Sequence, residues 1–337
     1  MAPSATGPLS PPPDHDPAAL KARPHPTFFL PDGTLLVALP PVQFRVHRTL
    51  LTRHSPTLAA WIAPAPAPGG DAVLAIPPSV DLAIADFEAL LAHLYHDAAL
   101  DATTPYPALA ALVRATAPAA LDVPPVFARA RTHVAALFPG GPAPFAHRHP
   151  RAHREAALEL ALRVDLGDET KKALVYSVAA CSDFDPAGAH DPDAAPAPSS
   201  PEAAGEAEAE AEAEAEAAAP HPALSPRTLR ICHRVLGALI ADFTPVLFTV
   251  GGAAHMACTD ALADAWMRAV IAPALADGGV ARPLEELARV AARAWAADGV
   301  CAACVEARRE EMAVLAQGVW DDLGRWVREA EEAEGPI

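Results

Sequence analysis

The stretch QFRVHRTLLTRHSP, residues 43–56, changes rhythm halfway through. Together with Val42, its first half alternates. Val42, Phe44 and Val46 fall on one side of an extended chain, and Gln43, Arg45 and His47 fall on the other. Period two with β-branched and aromatic residues is the pattern of a half-buried strand. After His47-Arg48 the alternation stops. Leu50 and Leu51 are adjacent, Ser55-Pro56 intervenes, and Leu58, Trp61 and Ile62 follow. A strand running straight into a small helix is expected, with the seam at His47-Arg48.

Working outward, TFFLPDGTLLVAL (27–39) offers two apolar runs about Pro31-Asp32-Gly33, a turn sequence, and predicts a hairpin. DAVLAIP (71–77) reads as a further short strand behind a Pro/Gly loop. The period then shifts: Ile84, Phe87, Leu91, Leu94 and Tyr95 recur at three and four, an amphipathic helix for which Asp81 is a candidate N-cap. Two more helices follow, YPALAALVRATAPAAL and VPPVFARARTHVAALF, parted near Asp122–Pro125. Short strands followed by a helical cluster imply a small sheet flanked by helices, an α+β unit. Residues 149–184 continue helically, with Pro150 in a first turn and Leu174, Val178 and Cys181 on one face. Residues 227–330 are expected to be all-helical, the clearest core stripe being Met312, Leu315, Val319, Leu323 and Trp326.

The chain has 337 residues, more than one ordinary domain needs, and a formal charge of −17. Nucleic-acid binding requires lysine and arginine to neutralise phosphates, so this balance excludes a nucleic-acid partner for the whole chain. Glu202, Glu206, Glu208, Glu210, Glu212, Glu214 and Glu216 concentrate the excess; setting those seven aside takes the charge from −17 to −10. That segment, 185–226, is low-complexity Pro/Ala/Asp followed by alternating Glu-Ala, with like charges at i, i+4. It reads as an acidic, disordered linker with transient helix, dispensable for folding. Residues 1–24 read as a disordered, proline-rich arm, and 331–337 as a disordered tail.

The first twenty residues lack the basic-then-apolar order of a signal peptide. The most apolar stretch, 235–258, is broken by Asp242, Pro245, Gly251-Gly252 and His255, so no membrane span is expected. Five cysteines, an odd count, fit a reducing compartment, and an intracellular location, cytoplasmic or nuclear, is expected.

Phe44-Arg45-Val46-His47-Arg48, then Leu51, then Ser55-Pro56, resembles the signature of the BTB/POZ family, and FEALLAHLY (87–95) resembles the helix that follows in that family. Further on, ARTHVAALFP (130–139), HP (149–150), ALELALRVDL (157–166), KALVYSVAACSDF (172–184) and DGVCAACVEARREEM (298–312) with Trp320 resemble the extended BTB proteins common in mushroom-forming fungi. Leu58 departs from the pattern, which usually has an aromatic there.

The resemblance implies a BTB/POZ domain over 25–139, a helical extension over 140–184, and, beyond the linker, a helical C-terminal region over 227–330. It implies that the histidine packs at the corner where strand meets helix. Ser55 would cap the next helix and Pro56 begin it. It implies a protein-interaction module that is not an enzyme and that forms a homodimer, with interface residues Phe28, Phe29 and Leu30 before the turn and Leu50, Leu51, Leu58, Trp61 and Ile62 in the first helical segment. Some members bring substrates to a cullin ubiquitin ligase, a partner that the resemblance allows and no motif of this sequence decides for or against; an adaptor or scaffold is the general expectation.

Two pairs have metal-ligand spacing, His255-Met-Ala-Cys258 and Cys301-Ala-Ala-Cys304. Four such ligands would make a closed structural zinc site. The competing reading makes the three cysteines small core residues and His255 a loop residue, with no cofactor. A zinc enzyme built on this cluster is the alternative function; it would need an open coordination position and a nearby acid or base. The zinc deaminases' His-x-Glu is missing, since Met-Ala follows His255. HRHPRAHR (147–154) reads as a solvated loop and helix start, and Cys181 and Cys232 as core residues. There is no phosphate loop, no nucleophile elbow and no His-Glu-x-x-His.

Overall fold

The computed structural model describes residues 22–62, 72–142, 153–180 and 224–335. They form two compact units that part between Ala136 and Leu137. The expected linker 185–226 lies outside the described residues up to 223, as do Cys181, Pro150 and most of the 147–154 histidine cluster.

The first unit is mixed α+β. It contains strands β1 (Arg23–Phe29), β2 (Leu35–Leu39), β3 (Val42–Val46) and β4 (Ala72–Ala75), with helices α1 (Arg48–His54) and α2 (Pro56–Ile62) between β3 and β4. Helices α3 (Ile84–Leu94), α4 (Tyr106–Thr116) and α5 (Pro124–Leu137) follow. The sheet order is β1-β3-β2-β4. Arg23 and Pro24, assigned by sequence to the disordered arm, already pair with β3, opposite Val42 and Gln43.

The turn at Pro31-Asp32-Gly33 does not make the expected hairpin. β1 runs parallel to β3, while β2 pairs antiparallel with β3, Leu35 facing Val46 and Leu39 facing Val42. The hairpin of this sheet is therefore β2–β3, and β4 adds to β2 in parallel. Gly33 permits the different route. A Cβ there would stand 2.9 Å from the Arg45 carbonyl carbon and the Val46 amide nitrogen, so only glycine lets the chain pass this close to β3.

The seam at His47 is built as the alternation predicts. Val46 closes the β2–β3 ladder and His47 becomes the N-cap of α1, its carbonyl accepting from Leu50 N–H. Its own N–H leaves the ladder and donates to the Tyr95 hydroxyl at 3.0 Å, while its Nδ1 lies 2.9 Å from the same oxygen and its Nε2 3.3 Å from Asp32. One tyrosine at the end of α3 thus fixes the corner where strand becomes helix. One turn on, Ser55 Oγ accepts from Leu58 N–H at 2.9 Å, starting α2 at Pro56, and donates to the Leu121 carbonyl. Phe44 is fully buried, edge-on to Phe87 of α3 with centroids 5.0 Å apart and stacked on His25 at 4.7 Å. Asp86, also buried, receives a two-pronged contact from Arg114 at 2.9 and 2.7 Å, joining α3 to α4. Helix α3 starts with Ala83 at its N-cap, so Asp81 does not cap it.

The expected interface residues need correction. Phe28, Leu51, Leu58, Trp61 and Ile62 are all buried, Trp61 only 7% exposed, so they belong to the core of this unit. Phe29, Leu30 and Leu50 are half-buried. Two short helices joined at Ser55 can turn their apolar residues inward together, which a single short helix cannot.

The second unit is helical: α6 (Arg154–Arg163), α7 (Asp168–Ala179), α8 (Pro226–Phe248), α9 (Met256–Trp266), a π turn (Met267–Ile271), α10 (Ala272–Ala276), α11 (Pro283–Ala292) and α12 (Ala302–Glu334). Ser225 caps α8, accepting from Thr228 N–H, so residues given to the linker already belong to this helix. The expected extension and C-terminal region are one unit. Three contacts tie α7 to α12: Lys171 to Glu331 at 3.0 Å, the Lys172 ammonium 4.7 Å over the Trp320 ring, and Trp320 Nε1–H donating to Glu169 at 2.9 Å. The Tyr176 hydroxyl donates to Glu285 at 2.5 Å and accepts from Leu284 N–H, fastening α7 to α11.

The stripe read along α12 is core: Met312, Val319, Leu323 and Trp326 are buried and Leu315 is half-buried. Cys232 is fully buried on α8, and desolvation pushes its thiol up to about 12. Of the tail expected to be disordered, 331–337, residues 331–334 are instead the last turn of α12, held because Glu334 pairs with Arg230 at 2.6 Å and Arg234 at 3.3 Å, and 336–337 lie outside the described residues. By length and composition α8 could cross a membrane, with a mean hydropathy of 1.5. However, Ile231, Cys232, Val235, Leu239, Phe243 and Leu247 are buried within the unit, and Arg230, His233, Arg234 and Asp242 occupy the outer face, the pattern of an amphipathic core helix.

Candidate metal centre

His255, Cys258, Cys301 and Cys304 come together in the second unit. Their placement follows one local rule used twice. His255 is the N-cap of α9 and Cys258 sits in its first turn; Cys301 is the N-cap of α12 and Cys304 sits in its first turn. An N-cap residue and the third helical residue lie on the same side of a helix start. Each x-x spacing therefore delivers two donors to one point, and the two helix starts meet there.

The His255 Nδ1 lies 3.4 Å from the Cys301 sulfur, 3.4 Å from the Cys304 sulfur and 3.9 Å from the Cys258 sulfur. All four donor atoms fall within 4.8 Å of one another. Around one tetrahedral ion with bonds of ~2.3 Å to sulfur and ~2.0 Å to nitrogen, nitrogen and sulfur ligands stand ~3.5 Å apart. The cluster therefore has the dimensions of a four-ligand site and could hold a metal ion. Cys258 and Cys304 are buried, while His255 and Cys301 reach the surface, which gives an ion a short route in.

The electrostatics favour thiolate at Cys301. Both helix N-termini point at the cluster, and the positive end of a helix stabilises negative sulfur. The Cys304 backbone N–H, with the Cys304, Cys258 and His255 side chains, draws the Cys301 thiol down to about 6. The Cys301 N–H, 3.5 Å from the Cys258 sulfur, works in the same direction there, but desolvation and the two neighbouring thiols outweigh it and hold Cys258 above the usual thiol range.

A loop braces the site. Thr259 Oγ1 accepts from Ala253 N–H at 3.1 Å and lies 3.3 Å from the His255 carbonyl. One turn past Cys304, the buried Arg308 donates to the carbonyls of Gly251 at 2.8 Å and Gly252 at 3.2 Å, and pairs with Glu311 at 2.7 Å. Sequence reading missed this arginine, because charge on an amphipathic helix reads by default as a solvated face. The neighbouring Gly251-Gly252 was the one available signal that a backbone approaches something closely. Scans of protein-family models, curated proteins and solved structures each returned no match to this chain.

Proposed function

We propose that this chain is a non-catalytic protein-interaction module of the BTB/POZ kind, an intracellular adaptor or scaffold that self-associates and whose helical unit is fixed by one structural zinc ion. The observation that carries the reading is the closed donor set. His255, Cys258, Cys301 and Cys304 are four protein ligands, the full complement of a tetrahedral ion, and leave no position for a substrate. Three thiolates and an imidazole suit zinc over calcium or magnesium, which take oxygen. Among the described residues, the hydrogen-bond partners of the four donor atoms are one another and the Cys301 and Cys304 backbone amides, none of them a carboxylate. That weighs against the zinc-enzyme alternative.

The interaction class rests on the motif resemblance at 44–56 and 87–95. It draws support from the way His47 and Tyr95, one from each motif, bond to each other at the strand-to-helix corner. The two tests are separate. Elemental analysis of purified protein should find one zinc per chain, falling below a tenth of that in Cys301→Ser and Cys304→Ser; wild type free of stoichiometric metal would reject the zinc reading. Light scattering should give twice the chain mass, and a monomer at high concentration would reject self-association.

A further inference from the structure

The geometry points to a second site in the helical unit: a preformed pocket for a small uncharged aromatic molecule of about two fused rings. A cavity of about 280 Å³ lies between the end of α8, the π turn, α11 and the middle of α12. Phe243, Trp266, Val270, Leu287, Val290 and Met312 form its apolar wall, and the half-buried Val246 and Leu315 also line it.

Packed cores close over voids unless something holds their walls apart, and here three pins do. Trp266 Nε1–H donates to the Leu247 carbonyl at 2.9 Å, and its ring stacks on Trp295 with centroids 5.9 Å apart, so it cannot swing inward. The wall at Val270 is a π turn, a rare widening of the helix that recurs at functional sites. Pro273 has no N–H to offer the Ala269 carbonyl four residues back. Arg289 supplies a donor in its place, Nη1 to Ala269 O at 2.9 Å, extends Nη2 to Val270 O at 3.2 Å, and is itself held by Glu286. The third pin is Arg308, held by Gly251, Gly252 and Glu311.

The same pins decide the ligand. The pocket is lined by Glu286, Arg308 and Glu311, each engaged in an ion pair within the protein. A charged ligand would leave water without finding a free counter-charge, whereas an uncharged one meets apolar wall. The volume is nearly twice the ~150 Å³ apolar cavity that accepts one benzene ring, hence two rings.

The test is calorimetric titration of the full-length protein with 2-naphthol and with 2-naphthoate, which has the same rings and a carboxylate. The expected result is saturable one-to-one binding of 2-naphthol in the micromolar range, and binding of 2-naphthoate at least ten-fold weaker. Leu315→Trp and Val246→Trp, which fill the pocket from its half-buried lining, should each weaken 2-naphthol at least ten-fold, while Val314→Trp, on the exposed face of α12, should leave it unchanged. No saturable binding by wild type, equal binding of the naphthoate, or indifference to both filling variants would overturn the assignment. If a filling variant does not fold, the comparison of the two ligands on wild type still decides. Metal content is measured separately, so the zinc reading and the pocket fail independently.

Discussion

Gly251→Ala and Gly252→Ala are the same chemical change at adjacent residues, and the structure assigns them opposite outcomes. Neither glycine has positive φ, so alanine is conformationally acceptable at both positions. Space separates them. A Cβ on Gly251 would fall on the Arg308 guanidinium, within van der Waals exclusion of Nη1, Nη2 and Cζ; a Cβ on Gly252 would meet nothing within 4 Å. Arg308 is only 3% exposed, and its guanidinium is already committed to Gly251, Gly252 and Glu311. Displacing it breaks its bonds to the Gly251 and Gly252 carbonyls and its pair with Glu311, leaving a buried cation underserved. Each charge-assisted bond is worth roughly 1.5–3 kcal/mol, and partial relaxation recovers some of that, so Gly251→Ala should destabilise the helical unit by about 2–4 kcal/mol. Gly252→Ala should stay within about 0.5 kcal/mol of wild type. Urea unfolding followed by tryptophan fluorescence reads both. In an Arg308→Ala background the Gly251 substitution should become nearly silent, because the clash partner is gone. If the two glycine variants shift the midpoint equally, or the Gly251 penalty survives removal of Arg308, the clamp described here is wrong.

Phe44→Ala should cost the first unit about 3–5 kcal/mol in a thermal or denaturant melt, since its ring is fully buried between His25 and Phe87. Thr52→Ala should change little, its hydroxyl making only a 3.4 Å exposed contact to the Thr49 carbonyl; equal melts for the two variants would reject the strand register. Trp61→Glu should yield an unfolded first unit and not a folded monomer, because the indole is core, and a cooperatively folded Trp61→Glu protein would restore it to an interface.

Local features were legible in the sequence and non-local ones were not. The alternation of Val42, Phe44 and Val46 gives β3, and the shift to helical spacing gives α3 and α12, because both periods are properties of a single element. Sheet order is different. Nothing in residues 27–39 distinguishes a hairpin from two strands on either side of a third; that depends on how closely Gly33 passes β3, which involves Arg45 and Val46. The Leu51–Ile62 cluster misled for a related reason. Apolar density shows that a surface must be covered, not whether the cover is a second copy or the chain's own core. The union of α6 and α7 with α12 was invisible because it rests on pairs such as Lys171–Glu331, 160 residues apart.

The four clustered donors were legible because their geometry is mostly local. Each pair needs only an N-cap and a first turn, and the sequence supplies that arrangement twice. Only the meeting of His255-x-x-Cys258 with Cys301-x-x-Cys304 is tertiary, and the structure shows what arranges it. Arg308 draws the Gly251-Gly252 loop onto α12, and Thr259 fixes the loop's last residues onto α9. Neither interaction requires an ion. A site whose four donors are placed by such bonds loses little chain entropy on binding, since the ordering is already done when the helices pack. The ion would then lock an arrangement that arginine and threonine have assembled, and the loop it locks carries Thr249 and Gly251, two residues of the aromatic pocket's wall.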